Sequence, residues 1–181
     1  MNEINDQNAV LVVRCQLGER AAWEELVQLW HQPLWRFMFG MLGDRQAAED
    51  VLQIVWLRVV QSLVRLREPA RFEAWMYRVA RNVIADRLRA QYRRPLEETF
   101  EEAVSSDRPL ESIDLTDSLH NALSNLHPID RETTVLYYFQ EKTLDEVAGI
   151  CEVPAGTVKS RLHRARRQLR ETLTNEEHCD E

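Results

Sequence analysis

LDEVAGICEVPAGTVKSRLHRARRQLRE, residues 144–171, reads as a short helix, a tight turn and a longer basic helix, the arrangement that lays a second helix in the major groove of DNA. Thr143 stands before it as an N-cap, with Glu146 three residues on at capping-box spacing. Ala148 is small where the two helices must approach. Val153, Val158, Leu162, Ala165 and Leu169 recur at the spacing of an inward face. At about 100° per residue, Lys159, Ser160, His163, Arg164 and Arg167 share the opposite face. Thr157 and Arg161 flank that face and complete the candidate set. Side chains near the helix start can reach base edges, whereas Arg166, Arg167 and Arg170 further along suit phosphates. A solvated basic face would show the same charges; a small-residue turn coinciding with a face of one sign favours DNA. Glu152 occupies the turn position where such motifs often carry Gly. Either the backbone there is left-handed, at a cost of about 1 kcal/mol, or the turn follows a slightly different course.

Working outward, the 181-residue chain has a formal net charge of −7, which argues against a nucleic-acid partner until the charges are located. Residues 71–94 hold seven Arg against Glu73 and Asp86, and residues 154–170 hold Lys159 and five Arg with no acid. The acids concentrate at 97–117, where eight face only Arg108, and at 171–181, where five stand without a base. Two basic islands therefore lie in an acidic background. With 44% hydrophobic residues the chain can build packed cores, and with only five Gly and six Pro it favours helix over a many-turned β fold. Cys15, Cys151 and Cys179 are odd in number and far apart, as expected of free thiols in a reducing compartment. Without a leader pattern or a stretch near the roughly 20 apolar residues of a membrane span, the chain is expected in the cytoplasm.

Helical spacing runs through Val10–Val13, then Trp23, Leu26, Trp30, Leu34, Phe37 and Met41, until Gly43 and Asp44 interrupt it. A third helix, 47–66, is apolar nearly all round. A fourth runs from Phe72 to about Tyr92 after the break at Pro69. Residues 95–113 are rich in Pro, Ser, Glu and Asp and read as an acidic linker, whose charge would compete with DNA for the basic islands. Beyond it come helices near 115–126 and 131–139, then the helix-turn-helix. The expected fold is all-α: two small helical domains joined by an acidic linker.

On the fourth helix Arg78, Arg81, Asn82 and Arg89 face one way, while Met76, Val79, Val83 and Ile84 face the other. Asn82 among arginines suggests a base contact, and Trp75 and Tyr77 are rings on which unstacked bases could lie. Phe72 is better suited to core, and Trp75 is evenly balanced between core and function. Arg87 falls on the apolar side and must snorkel or bend the helix. The third helix carries more apolar residues than one core stripe needs, so it either meets a partner, with Asp50 and Gln53 as polar rim, or lies at the centre of its own domain.

Three segments, AEDVLQIVWLRVV, FEAWMYRVARNVIADRLR and the opening stretch, stand in this order and resemble the extracytoplasmic-function sigma factors, the two-domain group of the sigma-70 family of bacterial RNA polymerase. The resemblance implies a domain over residues 1–94 for polymerase docking and minus-ten recognition, a linker over 95–113, a minus-thirty-five domain over 114–173 and an acidic tail over 174–181. It places Asp50, Gln53, Trp56 and Arg58 at the polymerase clamp. Asn82 and its neighbouring arginines fall on the melted minus-ten strand, and Lys159, Ser160, His163 and Arg164 in the minus-thirty-five groove. The implied partners are core RNA polymerase, promoter DNA and an anti-sigma protein. The competing reading is a helix-turn-helix repressor or activator, which needs neither a second basic island nor a docking helix. An enzyme is disfavoured: the histidines and cysteines lack metal-ligand spacing, no phosphate loop or nucleophile motif appears, and no cofactor, metal or small-molecule substrate is expected.

Overall fold

The computed structural model describes residues 3–93, 119 and 121–177, and no strand occurs among them. The N-terminal unit is formed by α1 (Glu3–Gln16), α2 (Arg20–Leu42), α3 (Arg45–Ser62) and α4 (Phe72–Arg93). Gly43 ends α2 in the left-handed conformation (φ 72°), and the Asp44 carboxylate then caps α3 by accepting from the Ala47 N–H at 2.5 Å. The expected third helix becomes shorter, because its last residues tighten into a 3₁₀ turn, Leu63–Arg65. Gln16 fixes that turn to α1, donating to the Leu63 and Leu66 carbonyls at 3.0 and 2.9 Å.

The C-terminal unit has α5 (Pro128–Thr134), α6 (Leu144–Cys151) and α7 (Ala155–Glu177). A helix expected near 131–139 begins earlier, at Pro128, and beyond Thr134 widens into a π turn, Val135–Phe139. The acidic linker, and with it the expected competition with DNA, and the acidic tail beyond Glu177 lie outside the described residues.

These units share a core. Phe37, Met38, Phe72, Met76 and Ala80 are buried in one apolar cluster with Val135, Leu136, Val147, Ile150 and Cys151. Here α4 packs on α6, and the π turn packs on α2. Gly40 is required by this approach: a Cβ on it would stand 2.9 Å from Val135 Cγ1, closer than real Cβ contacts come. Burial pushes the Cys151 thiol up to about 12 and the Cys15 thiol to about 11, so both are protonated at neutral pH. A smaller cluster of Leu123, Leu126 and Ala165, joined by Leu119 and Leu169, anchors α7 within the C-terminal unit.

Candidate nucleic-acid and polymerase interfaces

The helix-turn-helix forms as its local chemistry requires. Thr143 Oγ1 accepts from the Glu146 N–H at 3.3 Å while Glu146 accepts from the Thr143 N–H at 2.8 Å, completing the capping box. Glu152 closes α6 in the left-handed conformation, φ 57° and ψ 43°, the first of the two courses open to that turn. A Glu in place of Gly there is explained by its side chain, which accepts from Arg78 of α4 at 2.5 Å.

Along α7, Val158, Leu162 and Ala165 are buried while Lys159, Ser160, His163 and Arg167 are exposed. Thr157 and Arg161 are half-buried at the edge of that face. Arg164 is already engaged. Its guanidinium donates twice at 2.6 Å to Asp130, a carboxylate on α5 that is only 1% exposed. This fork ties α7 to α5 and fixes the direction in which Arg164 leaves the helix. Arg166 lies over the Tyr138 ring, 5.9 Å from its centroid.

On α4 the aromatic expectation divides. Tyr77 does not offer a ring to a base in this structure: it is 1% exposed, edge-on to Phe37 and Trp30, with centroid separations of 5.2 and 6.0 Å. Its hydroxyl meets the Gln140 side chain at 3.1 Å. With that amide turned so that its NH₂ faces Tyr77 Oη and the Pro33 carbonyl, its oxygen also accepts from the Phe37 N–H. Burial, aided by Glu73, drives the Tyr77 phenol far above its ordinary range. Phe72 is core, and Trp75 is half-buried against it at 5.9 Å. Arg87 snorkels toward Asp50, at 3.9 Å.

Asn82 is exposed and lines a cavity of about 600 Å³ with Arg58, Gln61, Ser62, Arg65 and Val79. Arg58 and Arg89 both hold Asp86, at 2.9 and 2.6 Å, and they keep its carboxyl below the usual range, Arg58 first. These pairs are substantially exposed, so phosphate can replace Asp86 at little cost. Sequence reasoning gave Arg58 to the polymerase surface and omitted Gln61 and Arg65. The spacing of 58, 61 and 65, one stripe of a helix, was the signal that could have joined them to Asn82.

The opposite side of α3 forms a different groove. Gln53 and the half-buried Trp56 line a cavity of about 610 Å³ with His31, Gln32, Trp35, Arg45, Glu49 and Leu52. The Trp56 indole N–H is buried there without a partner. Asp50 accepts from Gln46 at 3.2 Å. α3 is central to its unit on one side, where Val51, Leu52, Val55 and Val59 are buried, while Ile54, Leu57 and Val60 stand exposed on another, Leu57 at 63%.

Comparison with known proteins places these two units. Residues 26–94 match the model for sigma-70 region 2, and residues 116–169 the model for sigma-70 region 4. The ECF RNA polymerase sigma factor SigE of Mycolicibacterium smegmatis is 32% identical over 181 residues, covering 94% of this chain and 70% of that protein. The chain is an extracytoplasmic-function sigma factor. It directs core RNA polymerase to promoters, and an operator-binding repressor would not carry the region 2 match. SigW of Bacillus subtilis is 27% identical, covering 86% of this sigma factor and 91% of that one. Among solved structures, RpoE of Bartonella quintana in complex with the anti-sigma factor NepR is 26% identical with a TM-score of 0.70, covering 84% of this chain and 96% of that one. CnrH in complex with the cytosolic domain of CnrY, at 21% identity and a TM-score of 0.74 over 93% of this chain, shares the fold. No described helix of the sigma factor is long and apolar enough to cross a membrane.

Proposed function

We propose that this sigma factor reads the minus-ten strand through the cavity around Asn82 and the minus-thirty-five groove through the exposed face of α7. The observation that carries the reading is the separation of the two basic faces onto different helical units, each backed by buried apolar residues. Asn82 supplies donor and acceptor to an unstacked base, while Arg58, Arg65 and Arg89 supply charge for the phosphates beside it. Arg78 and Arg81 extend that basic face, and Trp75 offers one ring edge to it. In the second unit Lys159, Ser160 and His163 stand nearest the helix start, where base edges are reached, with Thr157 and Arg161 alongside and Arg167 toward the phosphates. Arg164 joins them with its remaining N–H groups, aimed by Asp130. Polymerase docks on Gln53, Trp56, Asp50 and the apolar stripe of α3, and Arg58 belongs with the DNA.

The units correspond to residues 1–94 and 114–173, joined by the 95–113 linker. The factor works in the cytoplasm as a regulator rather than an enzyme, without cofactor, small-molecule substrate or membrane insertion. Its partners are core polymerase, promoter DNA and an anti-sigma protein of the kind found with its structural relatives. Paired variants test the division of α3. Gln53→Ala is expected to weaken core affinity and leave promoter choice intact, whereas Arg58→Ala is expected to do the reverse. An Arg58→Ala protein that loses core affinity and transcribes normally once saturated with core contradicts the assignment.

A further inference from the structure

Asp86 sets an acid in the middle of the minus-ten face. The only other acid of α4, Glu73, is buried and paired with Lys142, so Asp86 alone brings negative charge to the exposed side of that helix. It stands one turn beyond Asn82. Each of its carboxylate oxygens holds one arginine: Oδ2 accepts from Arg58 of α3 at 2.9 Å, and Oδ1 from Arg89 at 2.6 Å. Arg58 also lines the cavity beside Asn82. Two of the three arginines assigned above to the strand's phosphates thus already carry an anion.

The fold does not need this acid. α3 packs on α4, and Val51, Val55 and Val59 of the one are buried in a single cluster with Val83 and Ile84 of the other. Against that, the two ion pairs have side chains 44–66% exposed, and each is worth a factor of only about 1.4 to 5. On a surface that meets a polyanion, an acid lowers affinity for every strand, whatever its bases. The arrangement is that of a bound phosphate: two oxygens of one group, each taking a guanidinium N–H. A phosphate of the strand makes the same two contacts only by displacing the carboxylate.

We propose that Asp86 is a specificity-determining residue, an internal stand-in for a backbone phosphate that trims the sequence-independent part of strand binding. The proposal rests on the minus-ten role given to this face above. The penalty falls equally on every sequence. At a given concentration of factor it therefore takes weakly held, non-cognate strands below half-occupancy first, and retention comes to depend on the base contact at Asn82.

Titration of the full chain against a fluorescein-labelled oligothymidine strand, followed by anisotropy over a range of salt, tests it. The homopolymer reports backbone binding and stacking without a promoter sequence. Asp86→Asn keeps the shape and one acceptor oxygen while removing the charge. It is expected to bind the strand about 2- to 25-fold more tightly at low salt, the worth of two partly exposed pairs. The slope of log affinity on log salt should steepen by about 0.7 for each arginine released, a change that a merely structural role would not produce. Asp86→Glu, which keeps the charge, is expected to return affinity and slope toward the wild-type values. Equal or weaker binding by Asp86→Asn would make the residue a strut that aims Arg58, and overturns the proposal. A gain of the same size with Asp86→Glu overturns it as well, since charge would not then be the cause. The minus-ten reading fails separately, if Arg58→Ala combined with Arg89→Ala leaves affinity for the strand unchanged.

Discussion

Gly40→Ala sets two well-separated effects against each other at one atom. Within the last turn of α2, Ala is favoured over Gly by about 1 kcal/mol of helix propensity at most. The new methyl, however, meets Val135 Cγ1 at 2.9 Å and Cγ2 at 3.0 Å. Val135 is fully buried and β-branched, so its side chain has no alternative rotamer to retreat into. Overpacking of this kind costs about 1–3 kcal/mol, and the net change in the intact chain is therefore a loss of up to about 2 kcal/mol. Truncating the neighbour removes both offending carbons. In a Val135→Ala background, Gly40→Ala should stabilise by about 1 kcal/mol, leaving a coupling energy of roughly 1–3 kcal/mol between a residue of the first unit and one of the second. Urea denaturation of the four proteins measures it. A coupling below about 0.3 kcal/mol, with Gly40→Ala stabilising in both backgrounds, would refute the packing of α2 on the π turn.

Burial lifts the Glu132 carboxyl above its ordinary value of 4.5, against the pull of Arg81 and Arg161. The folded state therefore binds this proton more tightly than the unfolded state does, and the group's contribution improves as pH falls from neutral through its raised pKa toward 4.5. Glu132→Gln should accordingly raise the melting temperature at pH 7, with the advantage shrinking to nothing near pH 4; a lower melting temperature at pH 7 would show that the pair with Arg81 outweighs the burial. Thr143→Ala removes half of the capping box and should cost about 1 kcal/mol in urea, and an unchanged midpoint would show α6 to be held by packing alone. Glu152→Gly exchanges a backbone strain of about 1 kcal/mol for an ion pair worth about 0.2–1 kcal/mol, so stability should hold or rise slightly. A clear loss would mean that the Arg78 pair is stronger than its exposure suggests.

What could be read from the residues was local. The capping box needs only Thr143 and Glu146 and was legible, whereas the left-handed course at Glu152 was one of two that the sequence left open. The inward faces of α4 and α7 were legible from period alone. Tyr77 was misjudged because its fate depends on Trp30 and Phe37, which stand more than a helix away in sequence. Glu152 showed its backbone cost in the sequence but not its reason, since the compensating Arg78 lies 74 residues earlier. The π turn has no sequence period of its own. It is held by the Lys142 N–H donating to Leu136 and that of Gln140 to Val135, and by packing on α2. The family resemblance put Arg58 at the polymerase clamp, whereas its neighbours in space, Asn82 and Asp86, come from another helix.

Permanganate footprinting of promoter complexes formed by core polymerase with wild-type factor or Asn82→Ala tests the central claim most directly. The account predicts melted thymines around minus ten with the wild-type factor, and their loss with Asn82→Ala while core affinity stays unchanged. Equal melting with both proteins, or tight duplex binding by the free factor with no melting when core is added, would contradict it.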